Sequence, residues 1–249
     1  MRIVVITDLH ANLPALEAVL DAVDREGYDQ IVHTGDVIGI GPYPAECLER
    51  LIGVPNVSLV RGNHDAWLVD GVPDTPPRWV RQGDPFERTL WANVEVNTHW
   101  THAQIGPRLT SLAGEWPFQI RSEYGGVKVA FQHYALAGAD EGLKLLVHDA
   151  TVDDLDRLFE GEDADVIFYG HNHPRSDLTG RMRYVNPGSL GCYAQALARY
   201  CVAEFGDGPY TIEHRSMPYD DRELFQAFER RAVPGRAFFY GMFFGDRFG

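Results

Sequence analysis

Short apolar runs that stop abruptly at polar, chemistry-bearing residues recur along this chain. Residues 2–7, 30–33 and 57–60 have the β-branched, uninterrupted character of buried strands. Each opens a unit of strand, polar turn and helix. After the first, Leu13, Leu16, Val19, Leu20 and Val23 recur at helical spacing up to Gly27, and Asn12 stands where an N-cap belongs. After the second, the loop 39–44 turns the chain and residues 45–52 read as a helix, with Pro44 suited to its first turn. Three such units in succession predict parallel strands joined by right-handed crossovers.

The pattern changes between residues 66 and 118. All five tryptophans (Trp67, Trp79, Trp91, Trp100 and Trp116) fall there, beside a proline-rich loop at 72–77 and helix-like stretches at 87–97 and 101–113. This reads as a helical, cap-like insertion within a single domain spanning 1–249. Its tryptophans are expected to form a small core of their own. The alternative is a cap in which a tryptophan, Arg78, Arg81 or Arg88 touches a substrate base or phosphate. Residues 118–124 and 127–131 then form a hairpin around Gly125-Gly126, 153–159 a helix, 166–169 a strand, and 176–178 with 182–185 a second hairpin. Strands near 199–205 and 210–215 and a helix at 220–231 follow, so the second half reads as β-rich and mostly hairpin-linked. The tail carries Phe238, Phe239, Tyr240, Phe243, Phe244 and Phe248. It is expected to pack back on its own domain, with a homo-oligomer contact as the alternative.

At 249 residues, 45% of them hydrophobic and 23% charged, the chain can bury one large core or two small ones. It has no apolar run of ~18 residues, and Met1-Arg2 leads directly into the first strand. Neither a membrane span nor a signal peptide is expected, and the expected compartment is the cytoplasm. Cys47, Cys192 and Cys201 show no paired ligand spacing and read as reduced and structural. A net charge of -14 argues against extended nucleic-acid binding but leaves a compact phosphorylated substrate open.

The chemistry sits at strand ends. Asp36 follows the run Ile31-Val32 just past a buried strand, where open α/β sheets place their ligands. Four other fragments have the same form: Asp8-Leu9-His10, Gly62-Asn63-His64-Asp65, Gln132-His133 and Gly170-His171-Asn172-His173. Asp8 with His10, and His171 with His173, have the i, i+2 spacing that points two ligands toward one cation from an extended turn. Asp8, His10, Asp36, Asn63, His133, His171 and His173 make a nitrogen and oxygen set without cysteine. It suits manganese, iron, cobalt, nickel or zinc, whereas four imidazoles disfavour magnesium alone. His33, His99, His102, His148 and His214 match no motif and read as structural or surface residues. Arg61 is placed either to reach a phosphate or to pair with a carboxylate. Asn12 is first a cap and second a substrate contact. Asn186-Pro187-Gly188-Ser189 reads as a turn.

In this order and spacing the five motifs resemble the calcineurin-like metallophosphoesterase superfamily, and Gly41-Pro42-Tyr43-Pro44 after Gly35-Asp36 is similar to its compact bacterial and archaeal branch. The resemblance spans residues 2–190. It implies a four-layer α/β/β/α sandwich with two divalent ions on one edge. One ion would take Asp8, His10, Asp36 and His173, the other Asp36, Asn63, His133 and His171, with Asp36 bridging. Manganese is the first expectation, and iron, zinc, cobalt and nickel are compatible. His64 matches the family's histidine beside the substrate phosphate, where it stabilises the transition state or protonates the leaving oxygen. Two cations ~3.5–4 Å apart need a shared anion, and two-metal hydrolases add a bridging hydroxide that attacks phosphorus in line. Two such ions bring four positive charges. Asp8, Asp36 and the hydroxide remove three, leaving about one to match a monoanionic phosphodiester. The implied activity is hydrolysis of a small, nucleotide-like phosphodiester. A phosphomonoesterase or phosphoprotein phosphatase is the alternative, and a silent metal-binding scaffold is the alternative of another class.

Two departures from the family pattern bear on this. Its serine/threonine phosphatases place a second aspartate a few residues after Gly-Asp to orient the catalytic histidine, but Val37 to Gly41 contain no carboxylate. Asp65 or another group then has to orient His64, and a protein phosphatase loses support. Tyr134 follows His133 where many relatives have glycine, which predicts a narrowed substrate pocket.

Overall fold

The computed structural model describes residues 1–73, 85–138 and 142–247. In chain order its first half comprises β1 (Arg2–Ile6), α1 (Leu13–Glu26), β2 (Gln30–His33), α2 (Pro44–Ile52), β3 (Val57–Leu59), α3 (Asn63–Asp70), α4 (Pro85–Ala103) and α5 (Pro107–Gly114). Next come β4 (Gln119–Tyr124), β5 (Val127–Gln132), the short pair β6 (Leu136–Gly138) and β7 (Gly142–Leu143), α6 (Val152–Leu158) and β8 (Val166–Phe168). The chain closes with β9 (Ser176–Thr179), β10 (Arg183–Asn186), β11 (Leu197–Glu204), β12 (Thr211–Pro218), α7 (Arg222–Arg230) and α8 (Arg236–Phe244). α1 starts where its sequence predicts because Asn12 Oδ1 accepts the Ala15 N–H at 3.1 Å, and Gly27, at positive φ, ends it.

The strands form two five-stranded sheets, ordered β12-β11-β1-β2-β3 and β4-β5-β8-β10-β9. β1, β2 and β3 are parallel, as the three repeated units predict. Alternation then sorts the side chains into layers. Ile3 and Val5 point between the sheets and meet Val129, Phe131, Val166 and Phe168, while Val4 and Ile6 face Leu16, Val19 and Leu20 of α1. The outer face of the second sheet, Ala130, Ile167 and Tyr184, is covered by Leu155, Leu158 and Phe159. The result is an α/β/β/α sandwich. Between the sheets the Phe131 and Phe168 rings stack 5.3 Å apart, and burying each contributes about 1.5–3 kcal/mol.

Several sequence expectations are corrected. The expected hairpins β4-β5, β9-β10 and β11-β12 are present, but β8 between them is parallel to both β5 and β10, a setting its turns do not show. The physical reason is that β8 is buried on both faces, which crossovers rather than hairpins achieve. α4 runs unbroken through residues 98–100. Thr98 Oγ1 donates to the Val94 carbonyl within the helix, and the break falls instead before Pro107, with Gly106 at its N-cap. Among the described residues the insertion builds no separate core: Leu109 and Ala113 join the core on the helical side of the first sheet, and Trp100 and Trp116 pack against it. Trp79, Arg78, Arg81, residues 74–77 of the proline-rich loop and Phe248 lie outside the described residues. The aromatic tail is a helix, with Phe239, Tyr240 and Phe244 buried and Phe244 edge-on to Phe225 and Phe228 of α7. No described helix is long and apolar enough to cross a membrane.

Asn97 joins three of these parts. From α4 its Oδ1 accepts the Ile40 N–H at 2.8 Å, and its Nδ2 donates to the Ile40 carbonyl at 3.2 Å and to Pro234 O at 3.4 Å. Asn97→Ala strands buried backbone groups. It is expected to lower the unfolding free energy by about 1–3 kcal/mol, read as a lower urea midpoint with an unchanged slope.

Candidate active site

All seven candidate ligands stand on segments that leave the C-terminal ends of strands. Asp8 and His10 follow β1, Asp36 follows β2, Asn63 follows β3, His133 follows β5, and His171 and His173 follow β8. The parallel runs bring these ends to one rim. Four of the residues sit in the left-handed region, Asp8 at φ 50°, His10 at 48°, Asp36 at 59° and His171 at 67°. Such a conformation costs an L-residue about 1–3 kcal/mol and persists only where neighbours enforce it. Here they do so by hydrogen bonds. Asp8 N donates to Gly35 O at 3.0 Å, His10 N to Asp36 O at 3.1 Å, and His171 N to both oxygens of Asp8 at 3.1 Å.

The side chains gather in two groups that share Asp36. In one, His10 Nε2 lies 3.0 Å from His173 Nε2, 3.8 Å from Asp8 Oδ1 and 4.0 Å from Asp36 Oδ2. In the other, His133 Nε2 lies 3.2 Å from Asp36 Oδ2 and 3.1 Å from Asn63 Oδ1, with a ring nitrogen of His171 close by. His10 Nδ1 is 3.3 Å from Ile38 O and His133 Nδ1 is 2.9 Å from Thr34 O, so both Nδ1 atoms donate and both Nε2 atoms face the site. Burial pushes His171 and His173 down to about 3 and His10 well below its ordinary value, so these imidazoles are neutral. Burial also pushes Asp8 up to about 6, while His133, itself raised to about 9 by Asp36 despite its burial, holds Asp36 well below the usual carboxylate range against the carboxylate's own burial.

These donors fit divalent ions. Ligand atoms bound about 2.1 Å from one ion are separated by about 3.0 Å at right angles and by up to about 4.2 Å across it, a range that contains the 3.0–4.0 Å spacings in both groups. Neutral imidazole lone pairs and carboxylate oxygens converging in a buried volume repel one another unless a cation lies among them.

His64 stands beside both groups, its backbone N–H donating to Asp36 Oδ1 at 2.9 Å. Among the described residues no carboxylate orients its ring, and Asp65 does other work. Asp65 accepts the backbone N–H groups of Gly62 at 3.0 Å, Asp36 at 2.8 Å and Val37 at 3.1 Å. Packing sets the ring instead. Trp67 lies edge-on at 4.8 Å and His10 at 5.3 Å, and the Nδ1 side rests against Gly39. Gly39 is at φ +84°, and a Cβ there would strike the imidazole. His64 Nδ1 has no hydrogen-bond partner.

Three expected substrate contacts are committed elsewhere. Asn12 caps α1 and donates to Gly191 O at 2.8 Å and Tyr219 Oη at 3.0 Å. Arg61 donates to Gly114 O and covers Phe118, tying α5 to the sheet. Tyr134 is buried, its hydroxyl accepting Val147 N–H at 2.9 Å, and its ring lies 5.1 Å from His171. It therefore supports His171 from beneath and does not narrow the cleft. The cleft over the site is lined by the paired rings of Trp67 and Trp91 and by Tyr193, Met242, Phe243 and His148. The residue that sequence reasoning missed is Cys192, whose sulfur comes within 4.8 Å of the ligand nitrogens of His10 and His173. Its one signal was its position three residues after Ser189 in the turn that follows β10.

The sequence profile of the calcineurin-like phosphoesterase superfamily domain matches residues 1–208. The uncharacterized protein MJ0912 of Methanocaldococcus jannaschii is 28% identical over 250 residues, 93% of each chain. Phosphodiesterase YfcE of Escherichia coli K12 is 37% identical over 75 residues, 26% of this chain and 41% of YfcE. The crystal structure of hypothetical protein PH1004 from Pyrococcus horikoshii OT3 shares the fold with a TM-score of 0.77 and 18% identity, covering 96% of this chain and 97% of that one. Because the profile spans every segment that supplies a ligand atom to the rim, the chain belongs to the calcineurin-like phosphoesterase superfamily.

Proposed function

We infer that this phosphoesterase hydrolyses small, nucleotide-like phosphodiesters with the help of two divalent ions. Asp8, His10, Asp36 and His173 would hold one ion, and Asp36, Asn63, His133 and His171 the other. The observation that carries this reading is the pair of ligand groups that share one carboxylate, with donor spacings of 3.0–4.0 Å. Bound there, the ions supply Lewis acidity and an activated water. The local similarity to a phosphodiesterase supports the diester preference, as does the net charge counted for the occupied site.

The chain's own residues supply position and a hydrogen-bond donor. His64, whose pKa burial lowers, reaches the rim from the start of α3, where its neutral ring N–H donates a hydrogen bond that stabilises charge on the phosphate or leaving oxygen in the transition state. Trp67 and Gly39 hold it in place of a carboxylate. Trp67, Trp91, Tyr193 and Phe243 give the substituents of a diester an aromatic surface to lie on.

On dialysed protein resupplied with Mn²⁺, kcat/KM for bis(4-nitrophenyl) phosphate is expected to exceed that for 4-nitrophenyl phosphate. A ratio below one with real monoester turnover would replace this reading with a monoesterase. Asp36→Ala is expected to abolish activity and to strip most bound metal, measured by elemental analysis; near-normal metal content would remove the bridging role. His64→Ala is expected to keep its metal and lose about 10²–10⁴-fold in kcat. Wild-type kcat for substrates with both good and poor leaving groups would exclude His64 from the chemistry.

A further inference from the structure

The turn after β10 is stitched to the first ligand group. Leu190 N donates to Thr7 O at 2.9 Å and Gly191 N to Asp8 O at 3.1 Å, while Ser189 Oγ donates to Asp8 O at 2.7 Å. Gly191 passes so close to Leu9 O that a Cβ would overlap it. This contact delivers Cys192 into the site. Its backbone is then fixed from both sides, because Cys192 N donates to Ser189 Oγ at 2.8 Å and its carbonyl accepts Arg199 Nη2 at 3.2 Å. The same Arg199 Nη2 donates to His173 O at 3.0 Å. One guanidinium thus sets the spacing between a candidate ligand histidine and this cysteine. The thiol is buried, lines the cleft, and lies within 4.8 Å of the ligand nitrogens of His10 and His173, which are themselves 3.0 Å apart.

We propose that Cys192 is a further ligand of the ion held by Asp8, His10 and His173, and that its thiolate selects zinc or ferrous iron over manganese at that position. The proposal rests on the metal-centre reading above. As the ion binds, the thiol releases its proton to solvent and its sulfur lone pair goes to the ion. With bonds of about 2.3 Å to sulfur and about 2.1 Å to nitrogen at angles between right and tetrahedral, the sulfur stands about 3.1–3.6 Å from each nitrogen, so donors that lie within 4.8 Å of one another draw together as the ion binds. Thiolate is the softest donor in the group, and softness favours zinc and iron over manganese, which prefers oxygen. Cys47 lies in the apolar core, and Cys201 rests against His214 at 3.3 Å on the β11-β12 pair, so neither reaches this group.

The test loads chelator-stripped full-length protein with cobalt(II) and counts bound cobalt by elemental analysis. The wild type is expected to show a near-ultraviolet thiolate-to-cobalt charge-transfer band. The band should survive Cys201→Ala and vanish in Cys192→Ser, which still binds cobalt. The preference of Cys192→Ser for zinc over manganese in competition should also fall by about tenfold or more. Zinc-edge X-ray absorption of the loaded wild type, which needs no variant to fold, should show a sulfur neighbour at about 2.3 Å. Cobalt bound without the band, a band that survives Cys192→Ser, or zinc without sulfur would overturn the proposal while leaving the metal centre intact. Failure to bind any cobalt or zinc would overturn the metal-centre reading, and the proposal with it.

Discussion

Asp36 has to present its carboxylate to two ligand groups at once from a backbone conformation that an L-residue resists. Its φ of 59° turns the side chain back over the rim, with Oδ2 toward His10 and His133 and Oδ1 accepting the His64 N–H. Asp65 makes that conformation affordable. One buried carboxyl gathers the N–H groups of Asp36, Val37 and Gly62, which locks the end of β2 to the start of α3. Gly62 is part of the same fit, since a Cβ there would collide with Asp36 itself. The strain at one residue is thereby offset by hydrogen bonds from the next strand end.

The outer parts of the chain are organised around that rim. α4 reaches it through Asn97, which holds Ile40 in the loop that carries Gly39 and so limits where the His64 ring can lie. α8 reaches it from the other end of the chain, placing Phe243 5.2 Å from the His173 ring. Insertion and tail therefore both line one cleft. An aromatic cleft over a floor of candidate metal ligands is consistent with the proposed diester, which has one compact anionic centre and apolar or planar groups on either side.

Acidity and burial work together at the floor. A chain with a net charge of -14 repels free phosphate esters at long range, so the attraction has to be local. Burial keeps His10, His171 and His173 neutral and their lone pairs available, which lets bound cations rather than protonated side chains supply the positive field.

Much of this was legible from the residues alone. Strand-end carboxylates and histidines at i, i+2 spacing identify the rim because a parallel strand places everything after its C-terminal end on the same edge, whatever the loops do. The first three strands and their helices follow from periodicity for the same local reason. Other features depended on contacts between residues far apart in the chain. Asn12, Arg61 and Tyr134 are polar residues near the right motifs, but their partners, Gly191 and Tyr219, Gly114 and Val147, are 179, 207, 53 and 13 residues away. The parallel setting of β8, the unbroken α4 and the helical tail were decided by what covers each face, which no local pattern records. Cys192 belongs to the same class. A cysteine without a spaced partner carries no ligand-spacing signal in sequence beyond its place in the turn after β10, and the passage of Gly191 against Leu9 brings its sulfur beside His10 and His173.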